Sequence, residues 1–200
     1  MVTKEEAKKE IQKLVEKFDK CDKSMNEETA KKNFILPLFR CLGWDVESDD
    51  VSAEEKISKK RVDYGFKMNG ITKFFLEAKK PSENVLGDID HIRQAINYSY
   101  WKSVTWAVLT NFNDLVVFNA EWKGTNLSEN KFITLNYKEF VEKFDKLWLL
   151  STESFAKNII DEEAVVVGKK QKREPVGKKV LEDLINWREL LTKNINKYDH

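Results

Sequence analysis

The stretch RVDYGFKMNGITKFFLEAKK, residues 61–80, constrains this chain more than any other. Asn69-Gly70 lies between two runs rich in β-branched and aromatic residues, the strongest short-range signal for a β-hairpin. Two registers compete. A two-residue Asn-Gly turn pairs 68 with 71 and sets Asp63 against Leu76, so that Asp63 and Glu77 point to opposite faces. A three-residue turn, Met68-Asn69-Gly70 with glycine left-handed, pairs 67 with 71 and 63 with 75. One face then carries Val62, Tyr64, Phe66, Phe74, Leu76 and Ala78, and the other carries Arg61, Asp63, Lys67, Lys73, Phe75, Glu77 and Lys79. The second register separates polar from apolar side chains and is the one expected. It makes Asp63 and Glu77 diagonal neighbours, about 7–8 Å apart at Cα.

Two carboxylates and an ammonium gathered at a sheet end are suited to Mg²⁺, a hard ion that takes oxygen ligands and keeps several waters. Such an ion activates water and stabilises charge on a transferring phosphate, and a neighbouring lysine orients the attacking water. The spacing Asp-x13-Glu-x-Lys also fits a solvated strand face, because 34% of the residues are charged.

Other chemistries lack their residues. The seven glycines form neither a phosphate-binding loop nor a dinucleotide fingerprint, and there is no G-x-S-x-G. Cys21 and Cys41 suggest reduced thiols in a cytoplasm and no disulfide framework. No apolar run reaches the length of a membrane span, and MVTKEEAKKE has no apolar signal region, so a cytoplasmic protein is expected. A net charge of +1 argues against binding DNA through bulk positive charge, though not against a local basic groove.

Along the chain, Thr3 and Glu6 form a capping box for a helix to about Lys20. Asn26 caps a second helix, with Glu27 and Glu28 in its first turn, a kink at Pro37, and an end at Leu42 before Gly43. Its apolar stripe is Ala30, Phe34, Leu38, Cys41 and Leu42. The charged segment ESDDVSAEEKISKK reads as a loop into the hairpin. A helix follows from about Ser82 to Tyr100, with Val85, Ile89, Ile92 and Ile96 on one side and Asp90, Gln94, Tyr98 and Trp101 on the other. Strands are expected at 105–111, 114–121 and 131–137, and Asn136 with Glu139 caps a helix to about Leu149. Residues 161–179 read as a charged linker, in which GKKQKR could touch DNA backbone or simply be solvated. After it, Val180, Leu184, Trp187, Leu191 and Ile195 line one face of a last helix, over 180–200, that leads to or packs on a further domain.

The hairpin, with Asp63 on one strand and Glu77-x-Lys79 on the next, resembles the PD-(D/E)XK nuclease superfamily. Val62 stands where that family usually has proline. The order helix, hairpin, helix, strand resembles its αβββαβ core, so the resemblance implies an α/β, restriction-endonuclease-like fold over residues 1–160, a mixed sheet flanked by helices. Gln94 and Tyr98 resemble the Q-x-x-x-Y motif of a nuclease subgroup, the alternative being a polar helix face with a packing aromatic. NEETAKKNFILPLFRCLGWDV (26–46) is similar to the first helix of the N-terminal nuclease domain in type IIG restriction-modification enzymes and type I restriction subunits. The resemblance spans about residues 24–121 and implies a Mg²⁺-dependent DNA endonuclease, with Mn²⁺ able to substitute. It implies Asp63, Glu77 and the Ala78 carbonyl as metal ligands, Glu27 as a further candidate, and Lys79, Gln94 and Tyr98 as catalytic residues. Displacement of the 3′ oxygen, leaving a 5′ phosphate, is the implied reaction on double-stranded DNA. A downstream methyltransferase and target-recognition domain are the implied partners of a type IIG module. The alternatives are the nuclease region of a type I R subunit and a catalytically inactive nuclease-fold DNA-binding module. On its own, the chain is expected to bind DNA weakly and to cut slowly or not at all.

Overall fold

The computed structural model describes residues 2–57, 60–122, 126–171 and 176–195; for 53–57, 60, 61, 176, 178, 179 and 195 it describes the backbone alone. Six strands form one sheet in chain order: β1 (Val51–Ile57), β2 (Lys60–Met68), β3 (Ile71–Ala78), β4 (Trp106–Thr110), β5 (Asp114–Asn119) and β6 (Lys131–Asn136). All pairs are antiparallel except β3–β4, which is parallel because the helix α4 (Ile89–Trp101) carries the chain across between them. This mixed sheet flanked by helices has the αβββαβ order of a restriction-endonuclease-like fold. Its third strand is β1, drawn from the charged segment read as a loop. The alternation in VSAEEKI was obscured there by five charged or small residues, a pattern suited to an edge strand that must resist further pairing.

One face of the sheet is covered by α1 (Lys4–Asp19) and by the second helical segment, α2 (Glu27–Ala30), a π-helical turn (Lys31–Ile35) and α3 (Leu36–Cys41). The Thr3–Glu6 capping box is formed, and α1 buries Ala7, Ile11, Leu14 and Phe18 at helical spacing. The kink expected at Pro37 takes the form of the π turn, in which the Leu36 N–H reaches back to the Lys31 carbonyl. Proline at 37 crowds the carbonyl four residues earlier, and a wider turn before it relieves that contact. The segment ends at Gly43, whose φ of +93° is open to glycine at little cost, and a Cβ there would meet the Thr152 hydroxyl oxygen at 2.5 Å. The short helices α5 (Phe144–Trp148), α6 (Thr152–Ala156) and α7 (Ile159–Val166) add Leu147, Phe155, Ile160 and Ala164 to the same core.

The opposite face is covered by α4, capped by Asp88 rather than starting near Ser82. Its buried stripe is Ile92, Ala95, Ile96 and Ser99, and Tyr98 is buried as well, whereas Ile89 is exposed. The expected assignment of Ile89 to the core and Tyr98 to the outer side is therefore reversed.

The hairpin corrects the expected register. Asn69 and Gly70 have φ of +53° and +75°, and Met68 pairs with Ile71, so the turn has two residues. The register then shifts at a bulge: Lys67 pairs with Thr72 but Phe66 with Phe74, leaving Lys73 as the extra residue. Beyond the bulge Tyr64 pairs with Leu76. Neither turn alone produces this arrangement; the tight turn and the bulge together shift pairing by one residue. The ladder between β2 and β3 runs as far as Tyr64, and there the strands part. Val62, expected on the face of Tyr64 and Phe66, packs on the α4 side with Phe75, Tyr98 and Val104.

Residues 161–170, read as the start of a linker, belong to the first compact unit, Met1–Lys170. Asp161 accepts a hydrogen bond from the Trp106 indole at 2.9 Å and pairs with Lys170 at 2.7 Å, while the Lys169 ammonium donates to the Glu129 carbonyl. Two lysines of GKKQKR are thus held in packing; Lys172 and Arg173 lie outside the described residues. The second unit, Gln171–His200, contains α8 (Val176–Ile195), on which Val180, Leu184, Trp187 and Leu191 are exposed. No helix among the described residues is long and apolar enough to cross a membrane.

Candidate active site

Where β2 leaves β3, side chains from four elements converge. Asp63 stands at the break in the ladder, and its carboxylate takes the place of a backbone acceptor: Oδ2 receives the Ala78 N–H at 2.7 Å. Oδ1 receives the Lys31 ammonium at 2.6 Å. Glu77, on the last turn of pleat in β3, is only 3% exposed. Its Oε1 accepts from the Lys79 ammonium at 2.7 Å and from the Gln94 amide at 2.7 Å. Its Oε2 is buried with no hydrogen-bond partner. The parallel neighbour β4 fixes the lysine's backbone, since the Lys79 N–H donates to the Thr110 carbonyl at 2.9 Å.

The pocket is reached from both sheet faces. From one side the π turn presents Lys31, whose side chain is 7% exposed and whose Nζ lies 2.6 Å from both Glu27 and Asp63 and 3.3 Å from Glu28. From the other side α4 presents Gln94. Tyr98, one turn further along α4, is packed edge-on against Phe75 with ring centroids 4.9 Å apart. Its ring therefore braces the strand that carries Glu77. Glu27 shares the pocket through Lys31, while Glu28 projects outward with most of its side chain in solvent. His91, on the first turn of α4, is partly covered and lies 2.9 Å from a Glu83 carboxylate oxygen.

Burial, reinforced by the charge of Asp63 and opposed by Lys79, pushes the Glu77 carboxyl up from 4.5 to about 7. Burial opposes the charge on Lys79, but the Glu77 carboxylate outweighs it and leaves the lysine pKa raised. Lys31 behaves likewise: desolvation is overcome by its hydrogen bonds to Asp63 and Glu27.

The donor set can be tested against a divalent ion. An ionisable oxygen buried without a partner is rare and calls for a cation, a water or a proton. Glu77 Oε2 is such an atom, and Asp63 beside it supplies a second hard oxygen donor. Among the described residues no group of three or more His, Cys, Asp and Glu side chains gathers around one point. Asp63, Glu77 and the Ala78 carbonyl could hold an ion that completes its shell with waters, as Mg²⁺ does.

Sequence reasoning missed Lys31. Its pairing with Glu27 at i, i+4 was legible on a helix, but its reach to Asp63 spans 32 residues and depends on the π turn.

No family model matches the chain, and no solved structure matches it. The chain is similar to the type II restriction enzyme and methyltransferase RM.Eco57I of Escherichia coli, with 30% identity over 208 residues covering 92% of this chain. It spans about a fifth (21%) of that relative's length, so the likeness is to one region of a restriction-modification enzyme.

Proposed function

We propose that this chain is a Mg²⁺-dependent DNA endonuclease domain, the cleavage module of a type IIG-like restriction-modification enzyme. The observation that carries the reading is the convergence of Asp63, Glu77, Lys79 and Gln94 in one pocket, with a Glu77 oxygen buried and unpaired. The likeness to a fused restriction enzyme and methyltransferase supports the type IIG context over a type I subunit.

Asp63, Glu77 and the Ala78 carbonyl would hold the ion, with Glu27, across Lys31 from Asp63, as a further oxygen acceptor for its waters. When bound, Mg²⁺ supplies charge to stabilise the pentacoordinate phosphate and to acidify a water. The chain's own residues do the rest. Gln94 fixes the Glu77 carboxylate in one rotamer by donating to Oε1, which leaves Oε2 buried without a hydrogen-bond partner. Lys79, held by its ion pair to Glu77 and by β4, orients the attacking water and offsets negative charge as the 3′ oxygen leaves. Tyr98 and Val62, packed on Phe75, keep the floor of the site apolar and dry on the α4 side. Sequence specificity needs base contacts in a groove, and double-stranded DNA would be selected by target-recognition and methyltransferase regions of the longer enzyme.

The test is plasmid cleavage by the 200-residue chain at stoichiometric protein with Mg²⁺ or Mn²⁺. Slow cutting without sequence preference, abolished by chelator and by Asp63→Ala, is expected. An Asp63→Ala protein that cuts as fast as its parent would overturn the assignment.

A further inference from the structure

We infer that Lys31 is a positioning residue that serves as the internal counter-ion of the metal site: it holds Asp63 and Glu27 together before the ion arrives and gives up Asp63 to it. The inference rests on the proposed function, since it needs a divalent ion at Asp63 and Glu77.

Three observations carry it. Lys31 is almost wholly buried, which for a lysine requires carboxylate partners on the spot. It has them, because its ammonium lies at the same 2.6 Å from Glu27 and Asp63, between two carboxylate oxygens. Finally, its backbone belongs to the π turn, which adds a residue to that helical turn and thereby sets where the side chain leaves the helix; single π turns of this kind are frequent at functional sites.

The two lysines of the pocket are not equivalent. Lys79 pairs with Glu77 Oε1 and leaves Oε2 unoccupied, so it is compatible with an ion on the far oxygen. Both Asp63 oxygens are already engaged, one by Lys31 and the other by the Ala78 N–H. A divalent ion approaching Asp63 meets a like charge at hydrogen-bond distance from its ligand. Either the ammonium moves or the ion binds weakly. The lysine has a route out, because Glu28, largely in solvent, lies 3.3 Å from the same Nζ and can draw it toward the surface.

The experiment is calorimetric titration of Ca²⁺ and Mg²⁺ into the full chain, wild type against Lys31→Gln and Lys31→Met, with unfolding temperature recorded alongside. The variants should bind about tenfold more tightly or better, and should be less stable without metal by a margin that saturating metal closes. Wild-type binding with equal or weaker binding by folded variants overturns the role of Lys31. No binding by the wild type overturns the metal-site reading itself, so the two failures are distinguishable. If neither variant folds, acetylation of lysines in the wild type decides the matter, read by mass spectrometry against the exposed Lys13. Lys31 labelling that rises several-fold with saturating divalent ion supports displacement; labelling that is unchanged or falls overturns it.

Discussion

Along β4 and β5 the sheet is buried on both faces, and its few polar groups are all paired. The Thr110 hydroxyl donates to the Asp114 carbonyl at 2.8 Å, and the Asn111 and Asn119 amides donate to the carbonyls of Glu83 and Lys169. Along the start of β2 and the end of β3, beyond the bulge, the same sheet carries a parted ladder, the half-buried Lys79 and a carboxylate with one oxygen unpaired, and the buried Lys31 reaches in from the π turn. The first region is built to be stable; the second gives up regularity to hold charge in a low-dielectric pocket. The contrast separates substitutions that unfold the chain from those that silence it.

The largest expected effect is on the second region's chemistry. Asp63→Ala, Glu77→Ala and Lys79→Ala should each lower metal-dependent cleavage by roughly 10²–10³-fold or more, measured on plasmid DNA. Their circular dichroism should remain that of the parent. A matching loss of secondary structure would place these residues in the scaffold instead.

In the first region the outcome should be the reverse. Leu109→Ala removes a side chain that is fully buried between β4 and α4, and should destabilise the chain by roughly 2–5 kcal/mol in denaturant unfolding. Any loss of metal affinity should follow the unfolded fraction alone.

The two carboxylates should differ in what their removal does to the metal-free chain. Asp63 supports a buried ammonium and a backbone N–H, so Asp63→Ala should destabilise by roughly 1–3 kcal/mol. Glu77 has its folded pKa raised from 4.5 to about 7, so the folded state holds its proton more tightly than the unfolded state. Its contribution is fully present below about pH 4.5 and is lost as pH rises through about 7. Glu77→Gln should therefore gain stability relative to wild type across that window and plateau above it, by on the order of 3 kcal/mol at most. Thermal melts at a series of pH values, with chelator present, read the difference. A gap that shrinks as pH rises contradicts the assigned environment.

The smallest effect belongs to Gln94, which touches the site through one hydrogen bond. Gln94→Ala should lower cleavage by about tenfold and leave stability within about 0.5 kcal/mol, since its loss frees Glu77 Oε1 only partly. An effect as large as that of Glu77→Ala would mean that Gln94 meets the substrate itself.

The same contrast explains what the sequence revealed. The regular region was legible: the runs at 105–111 and 114–121 became strands because burial on both faces leaves an unbroken hydrophobic signal, and the run at 131–137 became one whose burial alternates. So were the capped starts of α1 and α2, where Thr3 and Asn26 act locally. At the hairpin, the juxtaposition of Glu77, Lys79 and Gln94 could be anticipated, whereas its route could not. A bulge at Lys73 leaves no mark in residue pattern, and the alternation that favoured the three-residue turn is reproduced by a tight turn plus one extra residue. Tyr98 was assigned by helical wheel to the outside, yet the pocket of Val62, Phe75 and Val104 that receives it exists only once β2 has parted from β3. Lys31 was hidden for a related reason, since its partner is chosen by tertiary structure and its direction by a π turn.

The central claim is that the parted end of β2 and β3 is a divalent-metal site. Crystals of the chain grown with Mn²⁺ would test it through anomalous scattering at the manganese edge. The account predicts one principal peak bounded by Asp63, Glu77 and the Ala78 carbonyl, with Lys31 withdrawn from Asp63. An ordered pocket with no peak at saturating Mn²⁺, or a principal peak elsewhere, would contradict it.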